Sequence, residues 1–188
     1  MITIEHTDIY RLADYSNHLK NLSAEDKRSR FGFQVTDYNI DQLILQMIYH
    51  PDEHEIWIAT DGKAIVGFGH MAKMNDDSWE LAVSVNGINQ RKGIGSQLIC
   101  EMLVWAKFHK IPEVFMHCIE DNRVIQHLAD KHKLKTRERS IGERTAAIEV
   151  PSPNLLEVNT QRWKEQSEII NQITELRGKL MSLWFNKI

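Results

Sequence analysis

The first quarter of the chain changes from a strand-like to a helix-like pattern of apolar residues. Residues 1–6 alternate apolar and polar side chains, which predicts a short strand. Start and stop signals predict helices from Asp8 to about His18, from a Ser23 cap to about Gly32, and from Asp41 to just before Pro51. The expected buried stripe of the third helix is Leu43, Ile44, Met47 and Ile48.

After Pro51 the pattern becomes that of strands. Residues 55–60 and 64–74 are rich in apolar, β-branched and aromatic side chains, and Asp61-Gly62 between them is a turn dipeptide, so we expect a hairpin. Residues 79–85 alternate in the same way and predict a further strand.

The second half of this region mixes helices and strands. A helix is predicted from Gly95 to about Lys110, where Pro112 ends it, and a second helix over residues 122–133. Residues 114–119 predict a strand, and residues 136–150 predict two more. The order predicts one mixed α/β (α+β) domain over residues 1–150, with a strand, glycine turn, helix, strand crossover at its centre.

Residues 151–188 differ from what precedes them, and we expect a C-terminal linker followed by an amphipathic helix. Pro151 and Pro153 punctuate the chain. Apolar residues then recur at alternating steps of four and three along one helix face: Ile169, Ile173, Leu176, Leu180 and Leu183. This helix either packs against its own domain or joins two copies of the chain as a homodimer.

Composition excludes several classes of protein. The chain has 188 residues, 42% hydrophobic and 26% charged, which is typical of a globular domain, and its net charge of −3 offers no basic field for a nucleic acid. No apolar run is long enough to span a membrane, and the amino terminus lacks a secretory signal, so we expect a cytoplasmic protein. Cys100 and Cys118 form no CxxC motif, and we expect both to be small core residues.

Chemistry is concentrated in the turn at residues 89–96, between a predicted strand and a predicted helix. Gly93 and Gly95 accept backbone dihedrals that other residues avoid, so they allow a tight turn with its amides pointing inward. Amides at the start of a helix, where the helix dipole is positive, bind anions such as pyrophosphate. Arg91 and Lys92 add positive charge at the rim.

Two familiar phosphate-binding loops do not fit this turn. A Walker A loop requires GK[ST] after four intervening residues, which the segment lacks. A Rossmann fingerprint requires a third glycine where this chain has Leu98.

The remaining pattern, Gln90-Arg91-Lys92-Gly93-Ile94-Gly95, follows the strand of residues 80–85 and precedes Glu120-Asp121-Asn122-Arg123. In these three consecutive motifs the chain resembles the GNAT superfamily of acyl-CoA N-acyltransferases, and most closely its bacterial protein-lysine-acetyltransferase-like branch. The resemblance covers about residues 6–150, and its specific part is 79–134. It implies a central mixed, mostly antiparallel sheet flanked by helices.

The resemblance also implies a binding site for acetyl-CoA as cosubstrate. Backbone groups of Val83 and Val85 are expected to bind the pantetheine arm in a gap beside their strand, and Asn122 is expected to contact it from the next helix. The pyrophosphate is expected at the turn, with Gln90 at its mouth. The turn residues implied are Arg91, Lys92, Gly93, Ile94, Gly95 and Ser96. We expect no metal, because neither His50/His54 nor His127/His132 matches a zinc spacing with further ligands.

Transfer of an acyl group to an amine needs a base, because an amine with a pKa of about 10.4 is protonated at neutral pH. Glu80 stands where the resembling branch places a Glu before an apolar strand, and it is the expected base. Many family members carry a Tyr as acid after Asn122, but this chain has none between Asn122 and Lys133. The acid stays unassigned among Ser84, Cys118, His127 and His132.

The acceptor stays open among a protein lysine, a polyamine and a small amine. Residues 22–31 resemble the early helix that forms part of the acceptor cleft in the same branch. Several acidic residues could form a rim that attracts a cation: Asp52, Glu53, Glu55, Asp76 and Asp77. A different class of function is a CoA-binding regulatory or assembly protein without turnover.

Overall fold

The computed structural model describes residues 1–7, 9–75, 78–119, 135–140 and 143–150. The expected Asp8 cap, the helix at 122–133 with Asn122, and the C-terminal segment 151–188 lie outside the described residues. Within the described part of the chain, no helix combines the length and apolar character needed to cross a membrane.

Residues 1–150 contain a seven-stranded sheet in the order β1-β2-β3-β4-β5-β7-β6. All neighbouring strands are antiparallel except β4 and β5, which are parallel. This is the mixed, mostly antiparallel sheet that the sequence predicts. The strands are β1 Ile2–Thr7, β2 His54–Asp61, β3 Ala64–Asn75, β4 Ser78–Val85, β5 Glu113–Ile119, β6 Lys135–Ser140 and β7 Glu143–Glu149.

The described part of the chain contains four α-helices beside the sheet: α1 Leu12–Lys20, α2 Ala24–Phe31, α3 Asp37–Tyr49 and α4 Ile94–Phe108. The predicted cap of α2 is confirmed, because the Ser23 side chain accepts a hydrogen bond from the Asp26 amide. The helix ends at Gly32, which adopts a left-handed conformation with φ 80°.

The predicted start of α3 at Asp41 is wrong by four residues. Thr36 caps the helix by accepting from the Asn39 amide, while the Asn39 side chain accepts from the Thr36 amide. The predicted stripe is confirmed except for Ile48. Met47 is buried, and Leu43 and Ile44 pack against the core. Ile48 is 50% exposed, and the earlier start adds Ile40 to the buried face.

Each face of the sheet is covered by different helices. Residues directly opposite one another in a ladder share a face. Trp57, Met71 and Leu81 pack with α4, whose buried residues are Ile94, Leu98, Ile99, Met102 and Ala106. Ile56, Ile58 and Phe68 lie on the other face, in a second core cluster with residues of α1 and α3.

The expectation that both cysteines are core residues is wrong for Cys100, which is exposed on α4. Its neighbour Ile99 faces the core instead. A helix turns by about 100° per residue, so adjacent positions such as these point in different directions. The side chain of Cys118 lies outside the described residues.

Candidate functional site

Strands β4 and β5 form a fork. They pair only at their first residues, where Ser78, Trp79 and Glu80 lie opposite residues 113–115. Beyond Glu80, β4 continues to Val85 without a described strand beside it on that side. The fork therefore leaves a gap along the second half of β4, closed at one end by Glu80 and Phe115.

The hydrogen-bond pattern of β3 and β4 shows which backbone groups face this gap. The Asn86 amide donates to the Val66 carbonyl at 2.9 Å. Because hydrogen-bonded pairs alternate along an antiparallel ladder, Ala82 and Ser84 also bond to β3, and the backbone groups of Val83 and Val85 point away from it. These are the residues expected to hold the pantetheine arm.

The glycine turn lies at the open end of β4. A short 3-10 helix at Gly87–Asn89 leads into it, and Arg91 and Gly93 then adopt positive φ values of 60° and 83°. Gly93 is the N-cap of α4 and has no side chain with which to satisfy the first amides. The amides of Ile94, Gly95 and Ser96 have no acceptor within the helix, because they belong to its first turn.

Gly95 differs from the sequence interpretation. It lies in the first turn of α4, and its φ is not in the positive region that requires glycine. An added Cβ would find Val85 Cγ2 at 4.0 Å, which is ordinary contact. Of the two glycines, only Gly93 has the unusual dihedral that was expected.

The polar side chains of the turn bond to the turn itself and to α2. The Gln90 Nε2 donates to the Val85 carbonyl at 3.2 Å and to Asp26 Oδ1 at 2.8 Å. The Lys92 Nζ donates to Asn89 Oδ1 at 2.9 Å. Gln90 thus ties together the end of β4, the turn and the start of α2.

Glu80 lies at the closed end of the fork. It pairs with Ala72 of β3 and with Phe115 of β5, and it is half-buried. Its position on the ladder puts it on the face of the sheet that carries Phe68 and Ser84. Helix α2 packs against both β4 and β5.

Ser84, one of the candidate acids, is buried and bonded to a histidine. The His18 Nε2 lies 2.9 Å from Ser84 Oγ. Burial lowers the pKa of His18 to about 4, although hydrogen bonds to Asn86 and Ser84 oppose the shift. His18 is therefore neutral at physiological pH, and it holds the Ser84 hydroxyl away from bulk water.

The other expected site residues divide into two groups. Among the acidic residues, Asp52 and Glu53 are exposed, and Glu55 lies with its Oε2 2.6 Å from His6 Nε2. The remaining members lie outside the described residues or have undescribed side chains. These are Asp76, Asp77, Cys118, Asn122, His127 and His132.

Sequence reasoning missed a polar cluster on the same sheet face as Glu80. Arg30 Nη2 lies 3.2 Å from His70 Nδ1, and His70 Nε2 lies 3.1 Å from His54 Nδ1. His70 is only 4% exposed. No spacing in the sequence links these three residues, because α2, β2 and β3 are brought together only by the tertiary fold.

A cavity of about 500 Å³ opens beside this cluster. Its size is in the range of small-molecule sites, roughly 300–1,000 Å³. Half of the lining residues are apolar, and His54 and the His6–Glu55 pair supply polar groups. The lining residues are His6, Thr7, Leu12, Met47, Pro51, His54, Glu55 and Ile56.

Several solved acetyltransferase structures share the fold of this chain. The GNAT domain of S. lividans PAT has a TM-score of 0.65 at 14% identity, covering 78% of this chain and 89% of that one. Spermidine N-acetyltransferase from Vibrio cholerae, solved with CoA and spermine, has a TM-score of 0.65 at 15% identity, covering 79% and 95%.

A third similar structure is the ribosomal-protein-S18-alanine N-acetyltransferase from Escherichia coli, with a TM-score of 0.60 at 13% identity, covering 82% of this chain and 97% of that one. Likeness at this identity shows the fold. The family model for the acetyltransferase (GNAT) family matches residues 17–133, which is more than half of the chain. The chain therefore belongs to the GNAT acetyltransferase family, the acyl-CoA-dependent N-acyltransferases.

Proposed function

We propose that this protein transfers an acetyl group from acetyl-CoA to a primary amine, with Glu80 as the general base. The observation that carries this proposal is the fork between β4 and β5, which closes at Glu80. A thioester lying in the gap would have its reactive end beside a half-buried carboxylate. The turn at the other end of β4 would hold the negatively charged end of the cosubstrate.

The proposed cosubstrate site uses main-chain groups both in the gap beside β4 and at the glycine turn. The backbone groups of Val83 and the amide of Val85 face the gap and can bond the pantetheine amides as an added strand would, whereas the Val85 carbonyl already accepts from Gln90. The free amides of the first turn of α4, together with Arg91 and Lys92, suit a pyrophosphate. Residues 90–96 therefore form the proposed anion site, and we assign Asn122 to the same cosubstrate on the basis of the sequence motif.

The reaction balances without a further reactant. Glu80 takes one proton from the ammonium group, directly or through one water. The neutral amine then attacks the thioester carbonyl carbon, the C–N bond forms, and the C–S bond breaks to release CoA thiolate, which can accept the second proton lost by the nitrogen. The thiolate can leave without a dedicated acid, because a thiol with a pKa of about 8.5 is a good leaving group. This fits the missing Tyr and the buried position of Ser84.

The acceptor belongs to one of three classes: a protein lysine, a polyamine or a small amine. Among the similar structures, one is a spermidine N-acetyltransferase and another is a ribosomal-protein-S18-alanine N-acetyltransferase. In this chain, exposed Asp52 and Glu53 give the sheet end near His54 a negative charge, which favours an approaching ammonium.

The test is a comparison of Glu80→Gln with Glu101→Gln, a matched change at an exposed position of α4. Acetyl-CoA is incubated with a panel of amines, and free thiol is measured. We expect Glu80→Gln to lower turnover by about 10²–10⁴-fold, because that is the usual contribution of a general base. Glu101→Gln should behave as wild type, and both variants should bind acetyl-CoA normally in calorimetry.

Two outcomes would contradict the proposal. Wild-type turnover by Glu80→Gln across pH would show that the base lies elsewhere. Binding of acetyl-CoA with no thiol release from any amine would favour the alternative function, a CoA-binding regulatory or assembly protein without turnover.

A further inference from the structure

Arg30, His70 and His54 form a continuous hydrogen-bonded chain, which we call the Arg30–His70–His54 relay. The centroids of the two imidazole rings are 5.2 Å apart, and the angle between the ring planes is 26°. The Arg30 guanidinium is held in place by the Tyr15 hydroxyl at 3.4 Å and by the Phe31 ring at 4.9 Å. Within the described residues, Arg30 makes no ion pair, so its charge is directed at the relay.

The relay fixes the protons on both histidines. An arginine only donates hydrogen bonds, so His70 Nδ1 must accept from Arg30. A neutral imidazole carries one N–H, which places the His70 proton on Nε2, where it is donated to His54 Nδ1. The remaining proton of His54 is therefore on Nε2, and His54 presents an N–H donor.

Both imidazoles are neutral, as this arrangement requires. Burial lowers the pKa of His70 well below its usual value, and the adjacent Arg30 charge acts in the same direction. Burial also lowers the pKa of His54. Protonation of His54 at Nδ1 would place two hydrogens between His54 and His70, which is unfavourable. His54 therefore keeps its single proton on Nε2 around neutral pH.

His54 lies in line with Glu80 on the sheet. His54 is opposite Ala72, and Ala72 is opposite Glu80, so all three side chains are on one face. Two strand spacings separate the backbones of His54 and Glu80 by about 10 Å. Ala72 contributes only a methyl group between them, and all three residues are half-buried. A carboxylate and an imidazole therefore lie at the two ends of a line of half-buried side chains on this face.

We propose that His54 is a specificity-determining residue of the acceptor site, and that its fixed Nε2–H selects amines whose chain carries a carbonyl oxygen. This inference rests on the proposed function, because it requires the acceptor amine to lie at Glu80. A lysine within a peptide has the required carbonyl, whereas a simple diamine lacks it. The relay would thus favour a peptide lysine over a diamine, although the negative charge near His54 attracts both.

A pair of probes tests this selection. Nα-acetyl-lysine methylamide and cadaverine carry the same kind of primary amine, but only the first has carbonyl oxygens. We expect His54→Ala to lower kcat/KM for the lysine amide about three- to tenfold, mainly through KM, because one neutral hydrogen bond is lost. Cadaverine should be unaffected, and His54→Gln, which retains an N–H donor, should restore the lysine amide. Equal losses for both probes would overturn the proposal.

The relay itself is tested by nitrogen-15 NMR of the histidine side chains, which does not depend on turnover. In the wild type, we expect protonated Nε2 and unprotonated Nδ1 on both His54 and His70. Arg30→Lys, which still donates, should preserve this pattern, whereas Arg30→Met should change it. A proton on His54 Nδ1 in the wild type would overturn the inference. Failure to acetylate either probe despite normal acetyl-CoA binding would instead refute the proposed amine acetylation.

Discussion

Among single residues, Gly93 controls the turn before α4, because its φ of 83° is a conformation that side chains disfavour. No atom lies within 4 Å of the position that its Cβ would occupy, so the cost of substitution is backbone strain and not collision. We predict that Gly93→Ala lowers the free energy of unfolding by about 1–2 kcal/mol. It should also weaken CoA binding, because the relaxed turn redirects the first amides of α4.

Gly87→Ala is the matched control, since Gly87 has no positive φ and its Cβ position is also open. Calorimetry with CoA and thermal unfolding measure the two effects. Unchanged CoA affinity in a folded Gly93→Ala variant would exclude the turn as the anion site.

His18 makes the stability of the protein depend on pH. Its pKa is lowered from 6.5 to about 4 by burial, so the unfolded state binds the proton more tightly than the folded state does. The contribution of His18 to the free energy of unfolding is therefore fully present above about pH 6.5, and it is lost as the pH falls towards 4. The expected slope is about 1.4 kcal/mol per pH unit for this residue. His54 and His70 shift in the same direction and add to the slope.

Urea unfolding at a series of pH values checks this prediction. His18→Gln should flatten the slope between pH 6.5 and 4, whereas His109→Gln, at an exposed position, should not. An identical slope in the wild type and His18→Gln would show that other groups cause the acid sensitivity.

Residue-level prediction succeeded where one residue type has one physical role. Gly93 was identified because a glycine before a helix allows a positive φ, and that dihedral is present. Gly95 was assigned the same property, but the helix begins one residue earlier and includes it. The Arg30–His70–His54 relay gave no local signal, because its contacts join residues 40 and 16 positions apart.

For the helices, the best-defined local device is the capping box of α3. Thr36 and Asn39 satisfy one another's backbone amides at the start of the helix. We predict that Thr36→Ala lowers the free energy of unfolding by about 1 kcal/mol, because one N-terminal amide loses its acceptor. Thr36→Ser retains the hydroxyl and should be close to wild type in chemical denaturation. Equal stability of Thr36→Ala and wild type would mean that water replaces the cap without cost.

Strands were predicted more accurately than helix starts. The strand at 79–85 is observed at Ser78–Val85, because Gly and polar residues bound a β-branched and apolar run on both sides. The start of α3 was missed because Tyr38, which is 68% exposed, gave no apolar periodicity in its first turn. A cap formed by Thr36 with an Asn three residues later is also a weaker signal than one with Glu or Gln.

For the whole molecule, we predict a homodimer formed through the C-terminal helix of residues 160–188, which lies outside the described residues. Its apolar seam must be covered, and each buried aliphatic side chain contributes about 1.5–3 kcal/mol. Charged residues at Ile173 and Leu180 should convert a dimer to monomers while CoA binding is retained. Sedimentation of the wild type and the double variant measures this, and a monomeric wild type would end the dimer hypothesis.

The order of the sheet could not be predicted at this scale. The sequence indicates which segments are strands, but the parallel contact of β4 with β5 depends on how α4 crosses the sheet. The pairing of β4 with β5 stops after three residues, which creates the fork. The later residues of both strands look equally suitable for pairing, so the sequence pattern does not indicate where the strands diverge. Only the family resemblance predicted a gap there.

The fork also affects the energetics of folding. Among the residues that the structure describes, the backbone of Val83 has no strand partner on the side of β5, although it lies in the interior of the sheet. Proteins otherwise keep such edges at the margin of a sheet or cover them. Under the proposed function, the cosubstrate occupies the place of a strand beside Val83. Its binding to the folded state therefore stabilises that state against unfolding. At a concentration 100 times its Kd, a ligand that binds only the folded state adds about 2.7 kcal/mol to stability. The supply of acyl-CoA would then regulate how much of this enzyme remains folded, as well as how fast it works.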